Sequence, residues 1–229
     1  MEDLFGQRNQ FSGDFRPINP QEVVNWKLSC DSKEACYLLI LNYINSILDD
    51  GGLSKKHIVK QKISVQEVLK NVVQNNFSLN KALFNFEDSA DYSISADIHQ
   101  LKYVVNQVLE NSLLYNQDLN PTSIAVKKES QAIILEIKDK GIGLDKKEAK
   151  KVFEPFFRGM DSSKFAKGIG LGLTLCKEIL KNNGAEIWLD SNGKGYGTSV
   201  FISFPNIDLE QKQMQAKRTQ EVYYRTAAY

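Results

Sequence analysis

The chain has 229 residues, 42% hydrophobic and 25% charged, which is enough apolar content for a packed core and too much for a disordered protein. A formal net charge of +1 supplies no long-range field toward nucleic acid or an anionic membrane, so neither is expected as a partner. Three cysteines, Cys30, Cys36 and Cys176, are too few for a disulfide framework and lack neighbouring ligands for a zinc site, so a reducing, cytoplasmic setting is expected.

Residues 1–27 scatter Phe5, Phe11 and Phe15 among Gly, Asn, Gln and Pro without helical or strand period, and read as a loop or weakly ordered tail. Glu2 and Asp3 stand where a basic leader would begin, so no signal peptide is expected. Residues 28–60 are expected to hold a helix and a linker. Apolar residues over 32–48 follow a loose spacing of three and four, widened by Tyr37, Ile40 and Ile47, so this helix needs partners on more than one side. Asp49-Asp50-Gly51-Gly52 ends it. Its most apolar window, 35–41, is far too short for a bilayer, and no membrane segment is expected in the chain.

Residues 61–206 read as one domain of alternating helices and short strands. Ile63 and Ser64 suggest an edge strand, and Val65, Val68, Leu69, Val72 and Val73 recur at helical spacing. Strands are predicted over 82–86 and 92–95. Asp97 is a candidate N-cap for a helix bearing Leu101, Val104, Val105, Val108 and Leu109. Strands follow at 123–127 and 132–138, then a glycine-bearing segment over 139–172, a helix over 173–183, and strands over 185–190 and 198–204. This order predicts an α+β fold, a two-layer sandwich of one mixed β-sheet with helices on one face, preceded by a helical segment. Residues 207–229, rich in Gln, Lys and Glu, read as a polar tail.

Four stretches within this domain carry candidate chemistry. In NQVLENSLLYN, Gln107 and Asn111 share a helix face beside Glu110; an amide oxygen there suits Mg²⁺, or the residues simply form a polar flank. In DKGIGL, Asp139 ends an apolar strand and can accept a hydrogen bond from an exocyclic amine, unless the stretch is a plain β-turn. VFEPFFRG sets Phe153, Phe156 and Phe157 around a proline. KGIGLGLTL opens a helix with Gly168, Gly170 and Gly172, whose backbone N–H groups favour an anion.

In this order the four stretches resemble the ATP-binding domain of sensor histidine kinases, in the superfamily that includes gyrase, heat-shock chaperone and mismatch-repair ATPases. The likeness runs from about Lys62 to Pro205 and extends to GAEIWLDS and GYGTSVFISFP. It implies ATP and Mg²⁺ as cofactors. Asn111 matches the magnesium-coordinating asparagine, and Gln107 the preceding amide position, usually Asn. Asp139 matches the aspartate that receives the adenine amino group, in a loop shaped by Gly141 and Gly143. Tyr115 matches an aromatic that lies against adenine. Gly168, Gly170 and Gly172 match the second glycine box against the phosphates, and Thr198 follows the glycine of a final short motif. Glu110 and Arg158 join Asn111 as expected catalytic residues. Where the family often has Lys, this chain has Leu114, which shifts phosphate neutralisation toward Mg²⁺, Arg158, Lys164 and Lys167.

The family's phosphoacceptor, a His followed by an acidic residue, has no counterpart. His57 precedes Ile58 in a basic linker, and His99 precedes Gln100. The expected function is transfer of the γ-phosphoryl group of ATP to a histidine on another polypeptide, with a phosphoacceptor or response-regulator protein as partner and a possible dimer through helix 32–48. The alternatives are a non-catalytic ATP-binding regulatory module and an anti-sigma-type serine kinase.

Overall fold

The computed structural model describes residues 58–88, 90–116, 118–129, 131–159 and 170–207. The predicted helix over 32–48, His57, the N-terminal segment and the tail beyond 207 lie outside these residues. Along the chain run β1 (Gln61–Ser64), α1 (Val65–Asn76), β2 (Phe84–Phe86), β3 (Ser93–Ala96), α2 (Ile98–Leu114), β4 (Thr122–Lys128), β5 (Ala132–Lys138), α3 (Lys146–Ala149), α4 (Gly172–Asn183), β6 (Glu186–Asp190) and β7 (Ser199–Pro205).

Five strands form the mixed sheet, in the order β2-β4-β5-β7-β6, with β2 parallel to β4 and every other pair antiparallel. Period-two patterning sends Ile133, Leu135 and Ile137 of β5, and Val200, Ile202 and Phe204 of β7, to the buried face. Against them lie the apolar stripes of the helices: Val68, Leu69 and Val72 from α1, Val104, Val108 and Leu109 from α2, and Ile179 and Leu180 from α4. Each such fully buried side chain contributes about 1.5–3 kcal/mol of transfer free energy, which explains why short strands of modest propensity hold their register. The opposite face carries a stacked Trp188–Phe201 pair with ring centroids 5.3 Å apart and a Lys127–Glu136 ion pair at 2.8 Å. This is the α+β two-layer arrangement with helices on one face.

The structure departs from the expected elements in three places. β1 and β3 pair with each other, Gln61 opposite Ala96 and Ser64 opposite Ser93, as a two-stranded sheet separate from the main one. The first half of the strand predicted over 82–86 is a 3-10 turn, Lys81–Leu83, because the Leu83 N–H closes on the Asn80 carbonyl. Helix α3 has no apolar period and was not predicted. It is nucleated instead by a capping box: the Asp145 carboxylate accepts the N–H groups of Lys147 and Glu148, while Glu148 accepts from the N–H of Asp145.

Capping also positions the two long helices. Asp97 accepts the N–H groups of His99 and Gln100 at the start of α2, as predicted. Gly184, with φ of 77°, ends α4 and lets the Gly184 N–H reach the Lys181 carbonyl. The start of α2 lies against the end of α4: Asn183 Nδ2 donates to Gln100 Oε1 at 2.7 Å. At its other end α4 starts against the middle of α2, at Gln107, and the candidate site lies there and along the C-terminal half of α2.

Candidate functional site

Asp139 follows β5 directly and is buried. Its Oδ1 accepts the N–H of Gly141 at 2.8 Å and that of Thr198 at 3.1 Å, and its own N–H donates to the Thr198 carbonyl at 2.9 Å. Burial pushes the carboxyl above the usual carboxylate range, while the two backbone N–H groups pull it back. Oδ1 is thus committed to the protein, and no hydrogen bond within the described residues is assigned to Oδ2. A buried carboxylate held this way can take one further donor.

The loop after Asp139 is locked to the end of α2. Ile142 N–H donates to the Tyr115 carbonyl at 3.0 Å, and a Cβ at Gly141 would collide with that same carbonyl oxygen. Only glycine allows this approach, which places Tyr115 beside the Asp139 loop. From the other side comes the loop between β6 and β7. Gly195 N–H donates to the Ile142 carbonyl at 2.7 Å, Gly197 N–H to the Gly141 carbonyl at 3.1 Å, and Leu144 N–H to Ser191 Oγ at 3.0 Å. Gly143 packs into this loop at Gly193. Ser191 and Gly193 were not singled out from sequence; the glycine-dense run SNGKGYG was the available signal.

Two turns along α2, Gln107 faces the start of α4. A Cβ on Gly172 would stand 2.6 Å from Gln107 Oε1, so the glycine admits the amide against the helix N-terminus. Gln107 is held by Glu110, whose carboxylate accepts Gln107 Nε2 at 2.7 Å and Asn106 Nδ2 at 2.8 Å. Surrounding protein atoms raise the Glu110 pKa by desolvation, against the lowering effect of those amide donors. Asn111, half-buried on the same flank, has no side-chain hydrogen bond among the described residues.

The aromatic stretch reaches the second glycine stretch through backbone alone. Phe156 adopts φ of 61°, unusual for a residue with a side chain, and its N–H donates to the Gly170 carbonyl at 3.0 Å. Lys177 of α4 lies over the Phe153 ring, 5.9 Å from its centroid. Arg158 is half-buried in this stretch. The structure therefore brings Asp139, Gly141, Gly143, Tyr115 and Thr198 into one cluster. It brings Gln107, Glu110 and Gly172 into a second, and Phe156 and Gly170 into a third. The C-terminal half of α2, carrying Asn111, joins the first two. Lys164, Lys167 and Gly168 lie outside the described residues.

Among the described residues no helix is long and apolar enough to cross a membrane, and no group of three or more His, Cys, Asp or Glu side chains could hold a metal ion. Cys176 is fully buried, with its thiol pKa pushed up by desolvation, while Cys30 and Cys36 lie outside the described residues.

Residues 96–208 match the protein family described as histidine kinase-, DNA gyrase B-, and HSP90-like ATPase. The chain is 34% identical over 119 residues to the sensor histidine kinase WalK of Bacillus subtilis, covering 50% of this chain and 19% of that protein. It is 30% identical over 150 residues to the sensor histidine kinase YxdK of the same organism, covering 63% of this chain and 45% of that one. It thus spans less than half the length of the curated relatives it matches. Two solved structures share the fold. One is a mycobacterial sensor histidine kinase, MprB (TM-score 0.53, 24% identity, 64% of this chain and 97% of that chain). The other is the catalytic domain of histidine kinase ThkA (TM-score 0.54, 19% identity, 65% and 97%). The helix carrying Asn111, the Asp139 loop and the glycine-led α4 all fall inside the matched span, and this part of the chain is an ATP-binding catalytic domain of the histidine kinase type.

Proposed function

We propose that this domain binds ATP with Mg²⁺ between the facing ends of α2 and α4 and passes the γ-phosphoryl group to a histidine on another polypeptide. The observation that carries this reading is the convergence of the Asp139 loop, the Gln107–Asn111 flank and the Gly172 helix start at one end of the helix pair. Asp139 would accept the adenine amino group beside Tyr115. The N–H groups opening α4, a helix of 12 residues, favour phosphate. Asn111 would hold Mg²⁺ through its amide oxygen; that amide has no protein partner among the described residues, and an oxygen donor suits a hard cation. The bound ion would neutralise phosphate charge.

Transfer forms a bond between the acceptor imidazole nitrogen and the γ-phosphorus as the bond to the β–γ bridging oxygen breaks, leaving ADP. Positioning is most of the catalysis in such a step. His99 is badly placed for it: it is exposed in the first turn of α2, about 18 Å along the helix from Asn111 at 1.5 Å per residue. His57 lies outside the described residues, and neither histidine is followed by an acidic residue, so the reading assigns the acceptor to a second chain, a phosphoacceptor or response-regulator protein of a two-component system.

Two measurements test the reading. Replacing Asn111 with Ala should abolish the magnesium-dependent part of ATP affinity in a calorimetric titration; an unchanged magnesium dependence would remove Asn111 from the site. Incubation with labelled ATP, alone and with candidate partners, should give acid-labile, base-stable label on the partner and none on this chain. Leu114, half-buried where the family often carries Lys, favours a second reading as a non-catalytic ATP-binding module. That reading predicts bound nucleotide and no label on any partner, whereas base-labile label would indicate a serine kinase.

A further inference from the structure

Helix α3 packs between the Asp139 loop and the aromatic stretch: Glu148 is buried, and a Cβ on Gly159 would meet its carboxylate at 3.0 Å. The turn continues past α3, with Lys150 helical and the Lys151 N–H donating to the Glu148 carbonyl at 2.9 Å. Lys146, Lys147, Lys150 and Lys151 are therefore spaced i, i+1, i+4 and i+5, which puts all four on one outward arc. All are exposed, and none has an ion-pair partner among the described residues. Lys140 is exposed one residue after Asp139; the Asp145 pKa is held down first by the Glu148 N–H, with Lys194 and Lys147 adding to it. The nearby carboxylates are mostly engaged: Asp139 by backbone, Asp145 and Glu148 in the capping box; Glu154 and Asp190 remain exposed at the margin.

Lys147 attracts the capping Asp145 carboxylate, but the four lysines also repel one another. Lys146–Lys150 and Lys147–Lys151 are like-charge pairs at i, i+4, which destabilise a helical turn. The chain as a whole carries a net charge of only +1, so the concentration of lysines is local. It borders the loop assigned to adenine, next to the proposed nucleotide site that an acceptor must reach.

We propose that this lysine arc is a docking surface for an acidic face of the phosphoacceptor polypeptide. The proposal rests on the reading of the domain as a kinase acting on a second chain. Carboxylates across such a contact would relieve the i, i+4 repulsion, steer encounter and set orientation. A protein surface is favoured over an anionic membrane because the arc is one helical turn beside a site whose substrate is another polypeptide.

The full chain can be tested with three probes at low salt: poly-L-glutamate, phosphatidylserine vesicles and ADP. Reversing the arc (K146E/K147E/K150E/K151E) should weaken poly-L-glutamate binding by about tenfold or more, with a shallower salt dependence. A control reversal of other exposed lysines (K62E/K70E/K81E/K181E) should weaken it about twofold or less. ADP affinity should be unchanged in both. Equal losses in the two variants, or vesicles binding through the arc more tightly than poly-L-glutamate, would overturn the proposal. A parallel loss of ADP affinity would overturn it too, by assigning the lysines to the nucleotide. The milder K147Q/K151Q pair guards against misfolding: it should leave the melting temperature near wild type while still weakening poly-L-glutamate binding, and a fall in both would make the lysines structural. Failure of the wild type to bind ADP would sink the kinase reading and leave the polyanion result to be judged alone.

Discussion

Where α2 begins and α4 ends, nearly every polar group is consumed. The Asp97 carboxylate takes three backbone N–H groups, from Val59, His99 and Gln100, while its own N–H goes to Asn183 Oδ1 at 2.9 Å. Asn183 Nδ2 is shared between Gln100 Oε1 and the Ile179 carbonyl, and the Asn183 carbonyl takes Lys60 Nζ at 2.7 Å. At the opposite end of the same two helices, Asn111 has no side-chain partner among the described residues and Asp139 engages Oδ1 alone. Gly172 leaves room only for the Gln107 amide. One helix pair thus has a saturated end, where buried polar groups pay for the junction with the entering chain, and an open end with hydrogen-bonding capacity in reserve. Satisfied buried networks contribute rigidity, and on the proposed reading the partly used groups are those that meet the nucleotide.

The contrast predicts that stability and binding separate between the ends. Asp97→Ala removes the N-cap of α2 and the hydrogen bond from the Val59 N–H, and should cost about 1–2 kcal/mol of folding stability in urea titration. Nucleotide affinity of the folded fraction should stay near wild type. A large loss of affinity at unchanged stability would break the comparison.

Asp139→Asn should do the reverse. With an amide N–H₂ facing the adenine amino group, ATP affinity should fall at least tenfold, or about 1.4 kcal/mol, and the preference for ATP over GTP should vanish. Folding stability at neutral pH should hold or rise. The Asp139 pKa is raised in the folded protein, so its contribution to stability is full below the unfolded-state value and is lost as pH rises through the folded one. Binding carries the opposite sign, because an amine donor favours the ionised carboxylate. Adenosine affinity, measured without titrating phosphates, should weaken as pH falls through the raised pKa of Asp139, and Asp139→Asn should flatten that slope.

The smallest effect is expected for Leu114→Lys. A lysine one residue before Tyr115 restores a cation at the open end, and ATP affinity should improve by about 0.5–1 kcal/mol, more at low salt than at high. ATP affinity insensitive to this change at both salt concentrations would place residue 114 away from the phosphates.

Local signals settled much of this domain in advance. The 3.6-residue stripe from Leu101 to Leu109, the Asp97 cap and the alternation over β5 and β7 each report burial on one face, and burial is what these elements do. The fold class followed, as did the resemblance carried by Asn111, Asp139 and the glycines, because backbone approach to a ligand demands particular residue types in a particular order. Boundaries fell within a residue or two where a cap or a glycine marks the end.

Other features depended on contacts remote in sequence. That β1 and β3 pair apart from the main sheet depends on a register spanning α1, which no window of residues contains. That Ser191 and Gly197 close over the Asp139 loop depends on strand order, since β7 lies between β5 and β6. The lysine arc was visible only as a charge run until α3 gave it helical spacing and buried Glu148 turned it outward. The saturated end was hidden for a related reason. Asp97, Gln100 and Asn183 are ordinary polar residues in sequence, 86 positions apart at the extremes, and antiparallel packing of α2 on α4 makes them partners. Sequence dictates what each element must bury; which polar groups end up saturated, and which keep hydrogen-bonding capacity, is decided by how the elements meet.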